Sequence, residues 1–150
     1  METRLKDLAQ TPCAAGTLRR ASRSLARVYD AHLAEAGLTT TQFSILRTIE
    51  RHGGHVPLAA LGDELVFERT SLYRALGPLV RARLLVMRPA ADRRAKEISL
   101  TPRGRGRIAA AMPHWIEAQR RTLDGFGASD WHDLVARLSR LTTVARSAHQ

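Results

Sequence analysis

Apolar residues recur along this chain at two spacings, and the switch between them outlines its architecture. Over residues 13–36, entered after Pro12 and stopped by Gly37, the residues Leu18, Ala21, Leu25, Val28, His32 and Leu33 form one stripe at helical spacing. Arg19, Arg20, Arg23 and Arg27 lie off that stripe. Thr39-Thr40-Thr41-Gln42 is a capping-box pattern, in which a hydroxyl and an amide three residues on satisfy each other's backbone groups. It predicts a second helix burying Phe43, Ile45, Leu46 and Ile49 and ending at Gly53-Gly54. His55-Val56-Pro57 suits a short edge strand. Leu58 to Leu65 predicts a short helix with Leu58, Leu61 and Leu65 inward, weakened by Gly62 by about 1 kcal/mol relative to Ala. A further helix starts near Arg69 after a break of two or three residues, and so tight a junction predicts a helix-turn-helix.

The second helix of that pair buries Leu72, Leu76, Leu79 and Val80. It leaves Arg69, Thr70, Ser71, Tyr73 and Arg74 facing outward, and Pro78, which has no amide hydrogen, is expected to bend or loosen it beyond Arg74. Two strands follow, apolar at Leu84, Leu85, Val86, Ile98 and Leu100, on either side of a tip reading AADRRAK. Thr101 is a good N-cap and Pro102 a good first helical residue. The long helix they open runs through Ile108, Met112, Trp115, Ile116 and Leu123, is kinked at Pro113 and is ended by Gly125 and Gly127. Ser129, helped by Asp130 and Asp133, caps a last helix whose apolar face is Trp131, Leu134, Leu138 and Leu141. The expected fold is mainly α with a small β wing, in a single domain spanning 1–150. A winged helix-turn-helix core occupies 38–107, and the helices of 1–36 and 108–150 carry more apolar surface than so small a core can cover. They are expected to pack against a second copy, setting two recognition helices about one DNA turn apart.

Charge sharpens this picture. Between residues 68 and 107 there are eleven Arg or Lys against Glu68, Asp92 and Glu97, a net +8 of the chain's +10. The partner of such a patch is a polyanion. A helix followed by a ribbon with a basic tip suits double-stranded DNA, the helix fitting the major groove and the tip the adjacent minor groove. Arg69 and Arg74 are the guanine readers of choice, because a guanidinium fork matches two acceptors of guanine. Arg103, Arg105 and Arg107 oppose the dipole of the long helix, and phosphate contacts would explain them. The single cysteine, Cys13, excludes an internal disulfide framework and fits a reducing compartment. Without a membrane-length apolar run or a signal-like start, the expected location is the cytoplasm, with no membrane partner. The six histidines are scattered, so no metal or other cofactor is expected. No nucleophile–base pair or phosphate-cradling loop argues for an enzyme.

Asp92-Arg93-Arg94, then Leu100-Thr101 and the next helix, together with Gly37-Leu38-Thr39 leading into Gln42-Phe43-Ser44-Ile45-Leu46, resemble the MarR family of winged helix-turn-helix transcription regulators. The resemblance covers Leu18 to Leu141. It implies that Arg94 enters the minor groove with Asp92 orienting it, that Arg93, Lys96 and Arg103 add contacts, and that Arg69, Thr70, Ser71, Tyr73 and Arg74 lie in the major groove. It implies a homodimer built through the terminal helices, bound to a pseudo-palindromic operator. Many members lose DNA affinity on binding small aromatic or phenolic compounds; Leu25, Tyr29, Phe43 and Trp115, with Arg20 or Arg47 to neutralise an acid, are the candidate pocket here. Some members carry a peroxide-sensing thiol near the N-terminus, which makes Cys13 a candidate redox site, although it lies slightly early in the chain and otherwise reads as a buried or half-buried helix start. Three residues depart from the family pattern: Val66 and Arg83 stand where glycine is common, and Glu68 stands where a short polar cap is common. The expected function is a sequence-specific, dimeric DNA-binding repressor released by an aromatic ligand or by oxidation. The alternative is a winged-helix module for protein association.

Overall fold

The computed structural model describes residues 7, 9–90 and 95–148. In chain order these form α1 (Ala14–Leu33), a 3-10 turn (Ala34–Ala36), α2 (Thr40–Arg51), β1 (His55–Pro57), α3 (Leu58–Leu65), α4 (Arg69–Arg81), β2 (Leu85–Pro89), β3 (Lys96–Leu100), α5 (Pro102–Phe126) and α6 (Ala128–Ser147). Local chemistry sets most of these boundaries. Thr39 Oγ1 accepts from the Gln42 amide at 3.3 Å while Gln42 Oε1 accepts from the Thr39 amide at 3.0 Å, so the capping box that opens α2 is complete. Thr101 Oγ1 accepts from the Gly104 amide at 2.9 Å and opens α5 ahead of Pro102. Helices α4 and α5 run on through Pro78 and Pro113 respectively.

The strands form one antiparallel sheet in the order β1-β3-β2. Ile98 at its centre faces Val56 on one side and Met87 on the other. The edge strand at His55 therefore converts a two-stranded wing into a three-stranded sheet rooted beside α3. Leu33, Ile45, Leu46, Ile49, Leu61, Leu76, Leu79, Leu85, Ile98 and Ile108 are fully buried and join α1 to α5 with the sheet in one core. Val80 and Val86, expected inside, are only half-buried. Gly62 matters to packing rather than to helix strength. A Cβ there would lie 3.3 Å from Leu72 Cδ2, so glycine lets α4 close onto α3.

Both departures from glycine take the conformation that glycine normally supplies. Val66 sits at φ 54° and Arg83 at φ 59°, in the left-handed region. The turns close around them: the Phe67 amide donates to Gly62 O at 2.9 Å, and the Leu84 amide to Leu79 O at 2.9 Å. Glu68 precedes α4 with no side-chain cap bond.

The terminal helices keep much of their apolar surface exposed. Of the α1 stripe only Leu33 is buried, whereas Leu18, Leu25 and Val28 are exposed. No residue of α6 is buried, and Ile116, Phe126, Val135, Leu141 and Val144 also face outward. Cys13 is exposed rather than inside; its Sγ accepts from the Gly16 amide at 3.4 Å, which places it just before α1 as an N-cap. Ser129 does not cap α6. Helix α5 passes through Gly125 to Phe126, and Gly127, at φ 98°, serves both as its end and as the start of α6, leaving Ser129 within the first turn.

Candidate nucleic-acid interface

Helix α4 turns Leu72, Leu76 and Leu79 into the core, and its opposite face is set by that choice. Arg69, Thr70, Ser71 and Arg74 are exposed along the first two turns. Among the described residues, no hydrogen bond or ion pair holds Arg69, Arg74 or the exposed Arg103. The arginines that do find carboxylates lie elsewhere: Arg47 with Glu50, Arg51 with Glu64, and Arg120 and Arg121 with Glu117 and Asp124. Unneutralised guanidinium groups on the exposed face of this helix favour a polyanion, because no described side chain competes for them.

Tyr73 departs from the outward-facing set. It is half-buried against the core, and Lys96 Nζ stands 5.2 Å from the centre of its ring. Lys96 opens β3, opposite Pro89, and the Ala90 amide donates to Ala95 O at 2.9 Å, closing the ribbon below its tip. Asp92, Arg93 and Arg94 lie outside the described residues.

Two basic residues near the start of α5 lie against other parts of the chain. Arg107 Nη1 donates to Ala36 O at 2.6 Å, satisfying a carbonyl at the end of the first helical segment. The Arg105 guanidinium lies across Gly54, in space that a Cβ at residue 54 would fill. Of the three arginines expected at phosphates, Arg107 is the one that a hydrogen bond holds among the described residues. The joint itself is tight: Thr101 Oγ1 donates to Arg83 O at 2.7 Å, and a Cβ on Gly104 would lie 2.2 Å from Leu84 O.

A separate cleft of about 980 Å³ opens between α1, α2, α5 and α6. Leu25, Tyr29, Phe43, Arg47 and Trp115 line it, with the Phe43 and Trp115 rings 6.2 Å apart. Arg20 does not; its guanidinium turns to Thr17 Oγ1 at 3.4 Å on the exposed side of α1. Sequence reasoning missed the walls supplied by Trp131, Leu134 and Leu138, and by Leu65 and Phe67 of the helix-turn-helix. Their helical spacing was visible but reads equally well as core. The ionisable groups nearby are engaged. Arg47 pairs with Glu50, Tyr29 donates to Gln119, and Asp30 Oδ1 accepts from the Thr40 amide and hydroxyl, both at 2.6 Å. Hydrogen bonds from His52, at 2.6 Å, and Arg51, at 2.8 Å, hold the Glu64 carboxyl below the usual carboxylate range. At the far end of α6, Arg146 donates to the Asp63 carbonyl in the last turn of α3.

Comparison with known proteins agrees with this geometry. The winged helix DNA-binding domain family matches residues 31–104. The Mycobacterium tuberculosis transcriptional regulator MosR, in its complex with DNA, is 34% identical; the match covers 92% of this chain and 99% of that one, with a TM-score of 0.84. Among curated proteins, the regulator PecS of Dickeya dadantii is 29% identical over 129 residues, 84% of this chain and 78% of its own length. MhqR of Bacillus subtilis is 29% identical over 97 residues, 64% of this chain and 66% of its own length, just under two thirds of that regulator. With a helix-turn-helix, a sheet rooted beside it and long flanking helices in this order, the chain belongs to the MarR family of winged helix-turn-helix transcriptional regulators.

Proposed function

We propose that the chain acts in the cytoplasm as a homodimeric repressor of a pseudo-palindromic operator. Arg69, Thr70, Ser71 and Arg74 read the major groove from α4. Arg94, oriented by Asp92, enters the flanking minor groove, and Arg93, Lys96 and Arg103 meet phosphates. The observation that carries this reading is that, among the described residues, Arg69, Arg74 and Arg103 have no partner, while the described ion pairs lie on other faces. Support comes from MosR, which was solved in complex with DNA. The exposed apolar residues of α1, α5 and α6 support an interface with a second copy, so residues 1–36 and 108–150 serve dimerisation and 38–107 serve binding. A small aromatic effector in the cleft of Leu25, Tyr29, Phe43 and Trp115 releases the operator, by bearing on Leu65 and Phe67 of the helix-turn-helix. Exposure of Cys13 supports oxidation as the second route of release.

The test is a fluorescence-anisotropy titration with the promoter region flanking the chain's own gene and with a scrambled duplex, each at two salt concentrations. The expected result is saturable binding to the first alone, at one dimer per palindrome, weakening steeply with salt. Equal, weak binding to both, vanishing with salt, would leave only generic polyanion affinity and favour a protein-docking module.

A further inference from the structure

Helix α4 and the ribbon are joined at one end and separated at the other. At the joined end, Arg83 and Leu84 pass directly into β2, and Thr101 bonds to the carbonyls of both. At the other end the first two turns of α4 face the close of the ribbon across a hollow of about 460 Å³, lined by Leu58, Gly62, Phe67, Arg69, Leu72 and Lys96 among others. A hollow of that size means that close packing does not fix the distance between helix and ribbon there. Among the described residues, a cation–aromatic contact crosses it. Tyr73, gripped by the core, presents its ring to the Lys96 ammonium at 5.2 Å, at the first residue of β3.

We propose that Tyr73 is a positioning residue whose ring, through Lys96, acts as a strut that fixes the spacing between the recognition helix and the wing. The inference rests on the DNA-binding reading above and adds to it a role for Tyr73 other than base contact. Major-groove and minor-groove elements must meet neighbouring grooves together, so a fixed spacing lets both engage without a further ordering cost. The ring is suited to the task because a cation held over an aromatic face needs no hydroxyl and tolerates the wet rim of a hollow. Lys96 therefore has two duties: it carries charge toward phosphate, and it transmits the position of α4 to β3.

Two experiments separate this role from base reading and from a general loss of fold. The first is hydrogen exchange on the free protein, comparing wild type with Tyr73→Phe, Tyr73→Leu and Lys96→Met. Ribbon amides over 86–99 exchange faster in the Leu and Met variants and unchanged in the Phe variant, while amides of α2 and α5 keep their protection. Unchanged ribbon exchange in all three overturns the strut, whatever the chain binds. The second is a double-mutant cycle on the duplex selected by the titration above and on a shortened duplex lacking the flanking base pairs. On the full duplex Tyr73→Leu weakens binding about two- to fivefold, the scale of an exposed cation–π contact, and adds nothing once Lys96 is Met. On the shortened duplex Tyr73→Leu has no effect. Independent losses from the two substitutions, or a loss in Tyr73→Phe equal to that in Tyr73→Leu, would refute the role and return Tyr73 to direct contact. Should no duplex be preferred, the functional reading fails while the exchange result still decides the strut.

Discussion

Val66 offers a direct test of how the helix-turn-helix is built. It holds φ 54° and ψ 44° between α3 and α4 with its side chain 64% exposed. For an L-residue the left-handed conformation costs about 1–2 kcal/mol, and a β-branched side chain is among the poorest occupants. Replacement by glycine removes that cost and sacrifices little burial. Against this, glycine carries about 0.5–1 kcal/mol of extra backbone entropy in the unfolded chain. The net expectation for Val66→Gly is a stabilisation of about 0.5–1 kcal/mol, or a rise in Tm of roughly 1–4 °C for a chain of this length. The assay is urea denaturation at a single protein concentration, because association shifts apparent stability, with the m-value checked for constancy. Val66→Ala is the informative control: it relieves the branching but keeps a Cβ, so its gain should be smaller. A lower midpoint for Val66→Gly, or equal gains for alanine and glycine, would show that the turn is not strained by its side chain.

Gly104→Ala is expected to destabilise by about 1–3 kcal/mol, since the new methyl meets a backbone carbonyl that cannot swing away; thermal melts read the loss, and an unchanged Tm would show that the joint at Thr101 yields. Leu61→Ala empties a fully buried site beneath the helix-turn-helix and should cost about 2–5 kcal/mol in urea unfolding; a cost below about 1 kcal/mol would mean that the site collapses. Hydrogen bonds from Arg120 and then Arg121 hold the Glu117 carboxyl down from 4.5 to about 2. A depressed carboxylate stabilises fully above its ordinary range and loses that contribution as pH falls from about 4.5 toward 2. Glu117→Gln should thus differ from wild type most near neutrality and converge with it in acid, by an amount that salt reduces because the pair is exposed. A difference that grows in acid would reverse the assignment.

Much of this was legible in the sequence because it depends on neighbours in the chain. The apolar period placed α2, α3 and α4, the hydroxyl of Thr39 and that of Thr101 marked two helix starts, and the core faces followed. The glycine-like positions of Val66 and Arg83 were also foreseeable from the pattern they interrupt. What the sequence hides is decided by distant partners. Nothing local shows that Arg107 is consumed by Ala36, 71 positions away, or that Arg105 lies over Gly54. Tyr73 looks like its outward neighbours until Lys96 is folded beside it. Arg20 and Arg47 are equally plausible cleft residues by spacing, and only the turn of α1 removes the first. Ser129 gave a sound capping signal, overridden because Gly127 alone already turns the chain.

The joint at Thr101 has a mechanical consequence. The end of α4, the base of β2 and the start of α5 are pinned to one another within a few residues by Thr101, Leu84 and the close approach at Gly104. Helix α5 continues from that pin for 25 residues, about 37 Å at 1.5 Å per residue. It is a lever with its fulcrum beside the recognition helix. Over that length a tilt of about 5° at the pinned end corresponds to roughly 3 Å at the far end. The orientation of α4 and the position of Phe126 are thus tied to one pinned joint, 25 residues of helix apart.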